Sequence, residues 1–161
     1  MSSVEANTEP NPEPGGVRLR EYEARDFARI CELDQMCFPP LIAYEPEEIW
    51  AALAQPHAFC VVAEHQAQVI GFILAYYRRG VGHIITIDIQ GEFRSRSVGS
   101  RLMEEAERRM SGHGVRRVVL EVGVDNEPAI RFYKGRGYGT ERRLDRYYRD
   151  GSDGWRMEKA L

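Results

Sequence analysis

Three apolar runs, residues 58–63, 68–77 and 83–89, follow one another with only short polar or glycine-containing breaks. Runs of this length, rich in β-branched and aromatic side chains, read as strands, and such short connections join neighbouring strands antiparallel. Together the three runs read as an antiparallel meander. Before it, Val17–Glu21 alternates as a short strand. Asp26 then caps a helix carrying Phe27, Ile30, Cys31 and Leu33 to about Cys37, stopped by Pro39 and Pro40. Pro46 opens a second helix with Ile49, Trp50 and Leu53 on one face, closed before Pro56.

After the meander, Val98, Leu102, Ala106 and Met110 recur every fourth residue, which predicts a helix from about Gly99 to Met110 ended by Gly112 and Gly114. Residues 116–122 read as a buried strand. Asn126 caps a fourth helix with Pro128 near its start and Gly137 past its end. Residues 138–148 pair with 155–161 in a closing hairpin across Asp-Gly-Ser-Asp-Gly, with Trp155, Met157, Lys159 and Leu161 alternating as an edge or half-buried strand.

With 161 residues, this pattern fits one domain over 17–161, preceded by a polar, proline-rich tail over 1–16 that buries too little to order itself. The 43% hydrophobic and 29% charged content excludes a disordered, collagenous or coiled-coil chain. The longest apolar run, 69–77, is well short of the roughly 20 residues needed to span a bilayer. Residues 1–16 also lack the basic and apolar stretches of a signal peptide, so a cytoplasmic location with no membrane partner is expected. Cys31, Cys37 and Cys60 form no CxxC, and His57, His65, His83 and His113 are scattered, so free, buried or half-buried thiols and no metal site are expected. Net charge is −3, but residues 1–80 hold 6 basic and 12 acidic side chains and residues 81–161 hold 16 and 13. The positive second half points to an anionic ligand there, and its excess is too small for a nucleic-acid partner.

The segment from Ile87 to Met103 puts a small-residue loop where a strand ends and a helix begins. That geometry aims backbone N–H groups and a positive helix end at one place, where a pyrophosphate fits. Ser95, Ser97, Gly99 and Ser100 let the backbone approach, and Arg94, Arg96 and Arg101 add charge. Read alone, the same residues are equally a solvated basic turn. Leu120-Glu-Val-Gly-Val-Asp-Asn126, then Ala129, Phe132-Tyr133 and Gly137-Tyr138, follow at fixed offsets.

With both segments together, the chain over Val17 to Leu161 resembles the GNAT acetyltransferases, and within them the ribosomal-protein-alanine and other protein N-terminal acetyltransferases. The resemblance implies an α+β fold, with a mixed, mostly antiparallel sheet of about seven strands, splayed between the fourth and fifth, and about four flanking helices. It implies acetyl-CoA as cosubstrate and direct transfer of acetyl to an amine. The family's Arg/Gln-x-x-Gly-x-Gly loop falls on Arg94, Ser95, Arg96, Ser97, Val98 and Gly99, with Ser97 in place of one glycine and Gly91 where the family often has proline. If that position needs φ > 0, serine adopts it at a cost. By the same resemblance, Ile87, Asp88 and Ile89 offer edge backbone groups to the pantetheine, an N–H near Ile89 meets the oxyanion, and Ser95 to Ser100 hold the pyrophosphate. Asn126 lies near the pantetheine arm or serves only as a helix cap. Tyr133 protonates the departing thiolate or is simply a core aromatic beside Phe132.

Transfer needs the amine as free base, because an ammonium has no lone pair. Glu121, inside the apolar strand Val-Val-Leu-Glu-Val, is the candidate base, and burial would raise its pKa toward the working range. Its alternative is a strand carboxylate paired with Arg117 or Arg131. His83 is the second candidate, or else a surface residue after Gly82. Phe38, Pro39 and Tyr44 between the first two helices, and Tyr147 with Tyr148 near the last turn, match loops that form two walls of a peptide groove in the N-terminal acetyltransferases. The acceptor so implied is a protein or peptide N-terminus, with the enzyme a monomer or homodimer. The alternatives are a small-amine acetyltransferase acting on a polyamine, amino acid or drug, and a CoA-binding module without turnover.

Overall fold

The structure, a computed structural model, describes residues 16–161. The tail expected over 1–16 therefore lies, except for Gly16, outside the described residues. The elements are β1 (Val17–Glu21), α1 (Phe27–Cys37), α2 (Pro46–Leu53), β2 (Phe59–His65), β3 (Gln68–Arg78), β4 (Val81–Ile89), α3 (Val98–Gly112), β5 (Arg117–Gly123), α4 (Glu127–Gly135), β6 (Gly139–Leu144) and β7 (Gly154–Ala160). One sheet runs in the order β1-β2-β3-β4-β5-β7-β6. It is antiparallel throughout except for the β4–β5 pair. Among the described residues no helix is long and apolar enough to cross a membrane.

The sheet separates two cores. On one side Ile73, Ala75 and Ile84 pack with Leu102, Met103, Ala106 and Met110 of α3 and with Val118, Leu120 and Val122 of β5. On the other, Phe72, Leu74, Cys60 and Val62 pack with Ile30 and Leu33 of α1 and Ile49 of α2. Each of the valine, leucine, isoleucine, phenylalanine and methionine side chains among them contributes roughly 1.5–3 kcal/mol, which makes covering both faces the dominant constraint on the fold. Strand parity changes where the ladder slips. Leu74 faces Thr86 and Ala75 faces Ile84, so Ile85 is the extra residue of a bulge in β4. Ile84, Ile87 and Ile89 consequently look toward α3, while Ile85, Thr86 and Asp88 look toward α1.

Three expectations from the sequence need correction. Asp26 stands at the N-cap position of α1 but its side chain does not cap the helix: its carboxylate binds Arg20 at 2.8 and 3.0 Å and accepts from the Glu23 amide, closing a 3-10 turn over Ala24–Asp26. Trp50 does not share the buried face of Ile49. It is 63% exposed and meets Phe27 edge-on. The closing hairpin is shorter than 138–148, because β6 ends at Leu144 and β7 lies inside the sheet, with β6 at its edge. Asp153 diverts the chain: it accepts from the Arg146 amide at 2.8 Å and from Arg143, so side-chain acceptors replace the ladder. The caps at Asn126 and Gly137 are as read, with the Ala129 amide donating to Asn126 Oδ1 and Gly137 at φ +94°. Cys31, Cys37 and Cys60 are free thiols, two buried and one half-buried.

Candidate active site

Residues 81–83 of β4 pair with 117–119 of β5, and beyond them the two strands part. Past that point β4 keeps only β3 as partner and β5 only β7, so the inner edge of β4 from Ile84 to Ile89 is unpaired. The crotch of this split holds a polar cluster. His83 Nε2 lies 2.6 Å from Glu121 Oε2, and His83 Nδ1 lies 3.1 Å from the Tyr76 hydroxyl. Val118, Leu120 and Val122 face α3, so alternation sends Glu121 to the α1–α2 side. A carboxylate only accepts, so the tautomer that satisfies both contacts carries its proton on Nε2 toward Glu121 and accepts from Tyr76 at Nδ1. Glu121 meets neither Arg117 nor Arg131, which pair with Glu158 and Glu127. Its other oxygen lies 3.9 Å from Arg156. Tyr76 was not singled out from sequence, although it sits directly opposite His83 once β3 and β4 are put in register.

At the open end of the split, Ser95 and Ser97 have φ +62° and +64°, so the loop adopts the left-handed conformation that its missing glycine would have supplied freely. Among the described residues the amides of Ser95, Arg96 and Ser97 donate to no backbone carbonyl, and they stand at the N-terminus of the fifteen-residue α3. Alternating left-handed residues and free amides at a helix start form an anion-binding concavity. Val98 is buried beneath it, and Gly99 lets the Phe132 ring approach, seating α4 on the start of α3. Ser100 lies in the first turn of α3. The arginines are partly engaged elsewhere: Arg94 donates to the Ile89 carbonyl at 3.0 Å and to Cys37 Sγ, Arg96 lies over the Phe93 ring, and Arg101 donates to the Val17 carbonyl.

Ile87 and Ile89 are half-buried along the open edge. The Asp88 side chain points the other way, where Oδ1 accepts from Thr86 at 2.9 Å and the carboxyl faces that of Asp34. Burial, and then the charge of neighbouring Asp34, holds the Asp88 carboxyl well above the usual carboxylate range. Tyr133 is buried, and burial followed by the Asp88 charge keeps its phenol protonated.

Two loops flank Glu121. Tyr44 donates through its hydroxyl to the Ile85 carbonyl at the β4 bulge, 3.4 Å away, and its amide donates to Asp34 at 2.6 Å. Tyr147 and Tyr148 meet edge-on in the loop after β6, and Gly154 makes their room, since a methyl there would sit 3.3 and 3.4 Å from the two rings. Burial raises all three phenols, and the Glu121 charge adds to each, so they keep their protons. Phe38 is half-buried and Pro39 exposed on the same wall as Tyr44. Of the residues expected at the site, His83, Glu121, Tyr44, Tyr147 and Tyr148 thus gather on the α1–α2 side. The loop from Arg94 to Ser100 lies at the far end of the split, and Asn126 caps α4 beside β5.

A sequence model of the acetyltransferase (GNAT) family matches residues 27–138, well over half of the chain. The chain belongs to the GNAT family. An uncharacterized N-acetyltransferase of Methanocaldococcus jannaschii is 32% identical over 143 residues, covering 88% of this chain and 90% of the relative. An N-alpha-acetyltransferase of Sulfurisphaera tokodaii is 27% identical, covering 89% and 93%. Among solved structures, Ard1 of Thermoplasma volcanium superposes with a TM-score of 0.82 at 27% identity, over 90% of this chain and 97% of that one. The ribosomal-protein-S18-alanine N-acetyltransferase of Escherichia coli shares the fold with a TM-score of 0.80 at 17% identity, over 90% and 94%. The chain is therefore a GNAT N-acetyltransferase with the seven-stranded mixed sheet of that fold, a fold in which the paia N-acetyltransferase of Thermoplasma acidophilum is solved in complex with coenzyme A. The residues present suit acetyl-CoA: a loop of free amides for a pyrophosphate, an unpaired strand edge for an amide-bearing arm, and a polar cluster at the end of the track.

Proposed function

We propose that this enzyme transfers acetyl from acetyl-CoA to the N-terminal α-amine of a protein or peptide within a ternary complex. The observation that carries the reading is the Tyr76–His83–Glu121 chain at the crotch of the split, faced by Tyr44, Tyr147 and Tyr148. The relatives named N-alpha-acetyltransferases favour an α-amine as acceptor. So does the arithmetic of the free base. At pH 7 about a tenth of an α-amine with pKa ~8 is unprotonated, against less than about a thousandth of a lysine amine with pKa ~10.4. One positioned base is sufficient help for the former.

Acetyl-CoA supplies an activated thioester carbonyl when bound. The amides of 95–100 and the charge of Arg94 and Arg96 hold its pyrophosphate, Ile87 and Ile89 offer backbone groups along the open edge of β4, and Asn126 borders the arm. An amide of that edge near Ile89 is placed to donate to a carbonyl oxygen. Glu121 fixes the imidazole with the proton on Nε2, so the basic nitrogen is Nδ1, reached through the Tyr76 hydroxyl. The acceptor's proton moves to this chain, and the imidazolium that results is balanced by the Glu121 carboxylate. Tyr133, held protonated by burial, donates to the departing sulfur. Phe38, Pro39 and Tyr44 form one wall of the acceptor groove, and Tyr147 and Tyr148 the other.

The test is thiol release from acetyl-CoA with short peptides beginning Ala, Ser and Met, their N-terminally blocked copies, and spermidine. Release with free and not with blocked peptides is expected. Release with spermidine alone would move the acceptor to small amines. Silence throughout, alongside measurable acetyl-CoA binding, would make the chain a CoA-binding module.

A further inference from the structure

The two walls of the groove come from parts of the chain about a hundred residues apart, and one side chain ties them. Arg149, in the loop between β6 and β7, donates through Nη2 to the Ala43 carbonyl at 2.5 Å and through Nε to the Leu41 carbonyl at 3.4 Å. Its Nη1 also donates to Glu48 Oε2 of α2 at 3.3 Å. Among the described residues, every side-chain hydrogen bond shown between these walls is made by Arg149. The bonds fall on the peptide that seats Tyr44. The Ala43 carbonyl is held by Arg149 from across the groove, while the Tyr44 amide is held by Asp34 and the Tyr44 carbonyl by Gln35, both from α1.

These contacts differ in weight. The Glu48 pair is exposed on both sides, 44% and 47%, and such surface pairs contribute little. Ala43 is fully buried, and a charged donor on a buried backbone carbonyl is among the stronger hydrogen bonds. Arginine is also the side chain this arrangement needs, since its planar fork reaches three acceptors from one position. Tyr44 in turn hydrogen-bonds the bulge of β4 beside the split, so the fastening extends from the outer loop to the strand that lines the transfer site.

We propose that Arg149 is a positioning residue that sets the spacing of the acceptor groove and thereby the affinity for the acceptor N-terminus. This rests on the reading of Tyr44, Tyr147 and Tyr148 as groove walls. Removing the guanidinium lets the loop after β6 part from the loop between α1 and α2, so the acceptor must order both walls as it binds. The donor loop at 94–100 is not touched.

The experiment compares the full chain with Arg149→Ala and Arg149→Lys in steady-state thiol release with the free peptides above, and in backbone hydrogen exchange without substrate. The expected result for Arg149→Ala is a rise of about tenfold or more in KM for peptide, with KM for acetyl-CoA unchanged. Arg149→Lys, which keeps the charge and loses the fork, should recover part of it. Exchange should quicken at 40–45 and stay as it was in β4 and α3. An unchanged peptide KM together with unchanged exchange at 40–45 would overturn the proposal. So would a loss spread equally over both substrates with a general fall in thermal stability. Silence of the wild-type chain with every peptide would instead defeat the acceptor reading. In that case the exchange of 40–45 still decides whether Arg149 fastens the walls.

Discussion

Ser97 and Tyr133 show how single residues carry opposite kinds of information. Ser97 occupies a left-handed position at φ +64°, which costs a non-glycine residue roughly 1–2 kcal/mol, while glycine adds about 0.5–1 kcal/mol of unfolded-chain entropy. Ser97→Gly should therefore leave acetyl-CoA affinity intact and change stability by no more than about 1.5 kcal/mol, in the stabilising direction, as read by denaturant unfolding with ligand titration. Tyr133→Phe removes only a hydroxyl from a buried ring, so acetyl-CoA binding should hold while kcat falls by about tenfold or more. Unchanged turnover would leave the ring a packing role alone. The serine's strain was legible in the sequence, because the loop pattern requires a position that glycine fills best. The partnership of His83 with Glu121 was not. Both were singled out, but only the parallel pairing of β4 and β5 puts residues 38 apart within 2.6 Å. Tyr76 escaped notice because its role comes entirely from lying opposite His83 across the β3–β4 ladder.

Between α1 and β4 a pair of buried carboxyls works on the same elements. Asp34 and Asp88 share Thr86 as a donor, at 3.5 and 2.9 Å, and both are held above the ordinary carboxylate range, first by burial. A carboxyl whose folded pKa is raised supports folding fully below its unfolded value near 3.8. That support is lost as pH rises toward the folded value, because the unfolded chain gains the ionised form first. Asp88→Asn keeps a donor facing Asp34 and an acceptor for Thr86 without the ionisation. It should melt several degrees higher than wild type at pH 8, with the difference shrinking as pH falls toward 4. A difference constant with pH would mean that the pair carries no such penalty. None of this is visible in the sequence, where Asp88 enters only through the backbone groups that the family resemblance assigns to it. The helices and strands themselves were legible from apolar spacing and proline, and two of the three misreadings fall where side chains compete with backbone, at Asp26 and Asp153, the third being Trp50, which packs on Phe27 at the surface.

At the scale of the molecule, the sheet is organised around one broken ladder. The β4–β5 pair is closed for three residues and open thereafter, which leaves a track along β4 with the left-handed loop of Ser95 and Ser97 at its mouth and the His83–Glu121 pair at its root. The sheet separates two cores, and in the proposed function donor and acceptor reach the root from opposite sides of it. The central claim is that this pair takes the proton of an α-amine. It is tested most directly by the pH dependence of kcat/KM for a free peptide in wild type and Glu121→Gln. The account predicts a loss of about a hundredfold or more near pH 7 that shrinks as pH passes the amine's pKa of ~8, where the acceptor supplies its own free base. A loss of the same size at every pH would contradict it and give Glu121 a structural role.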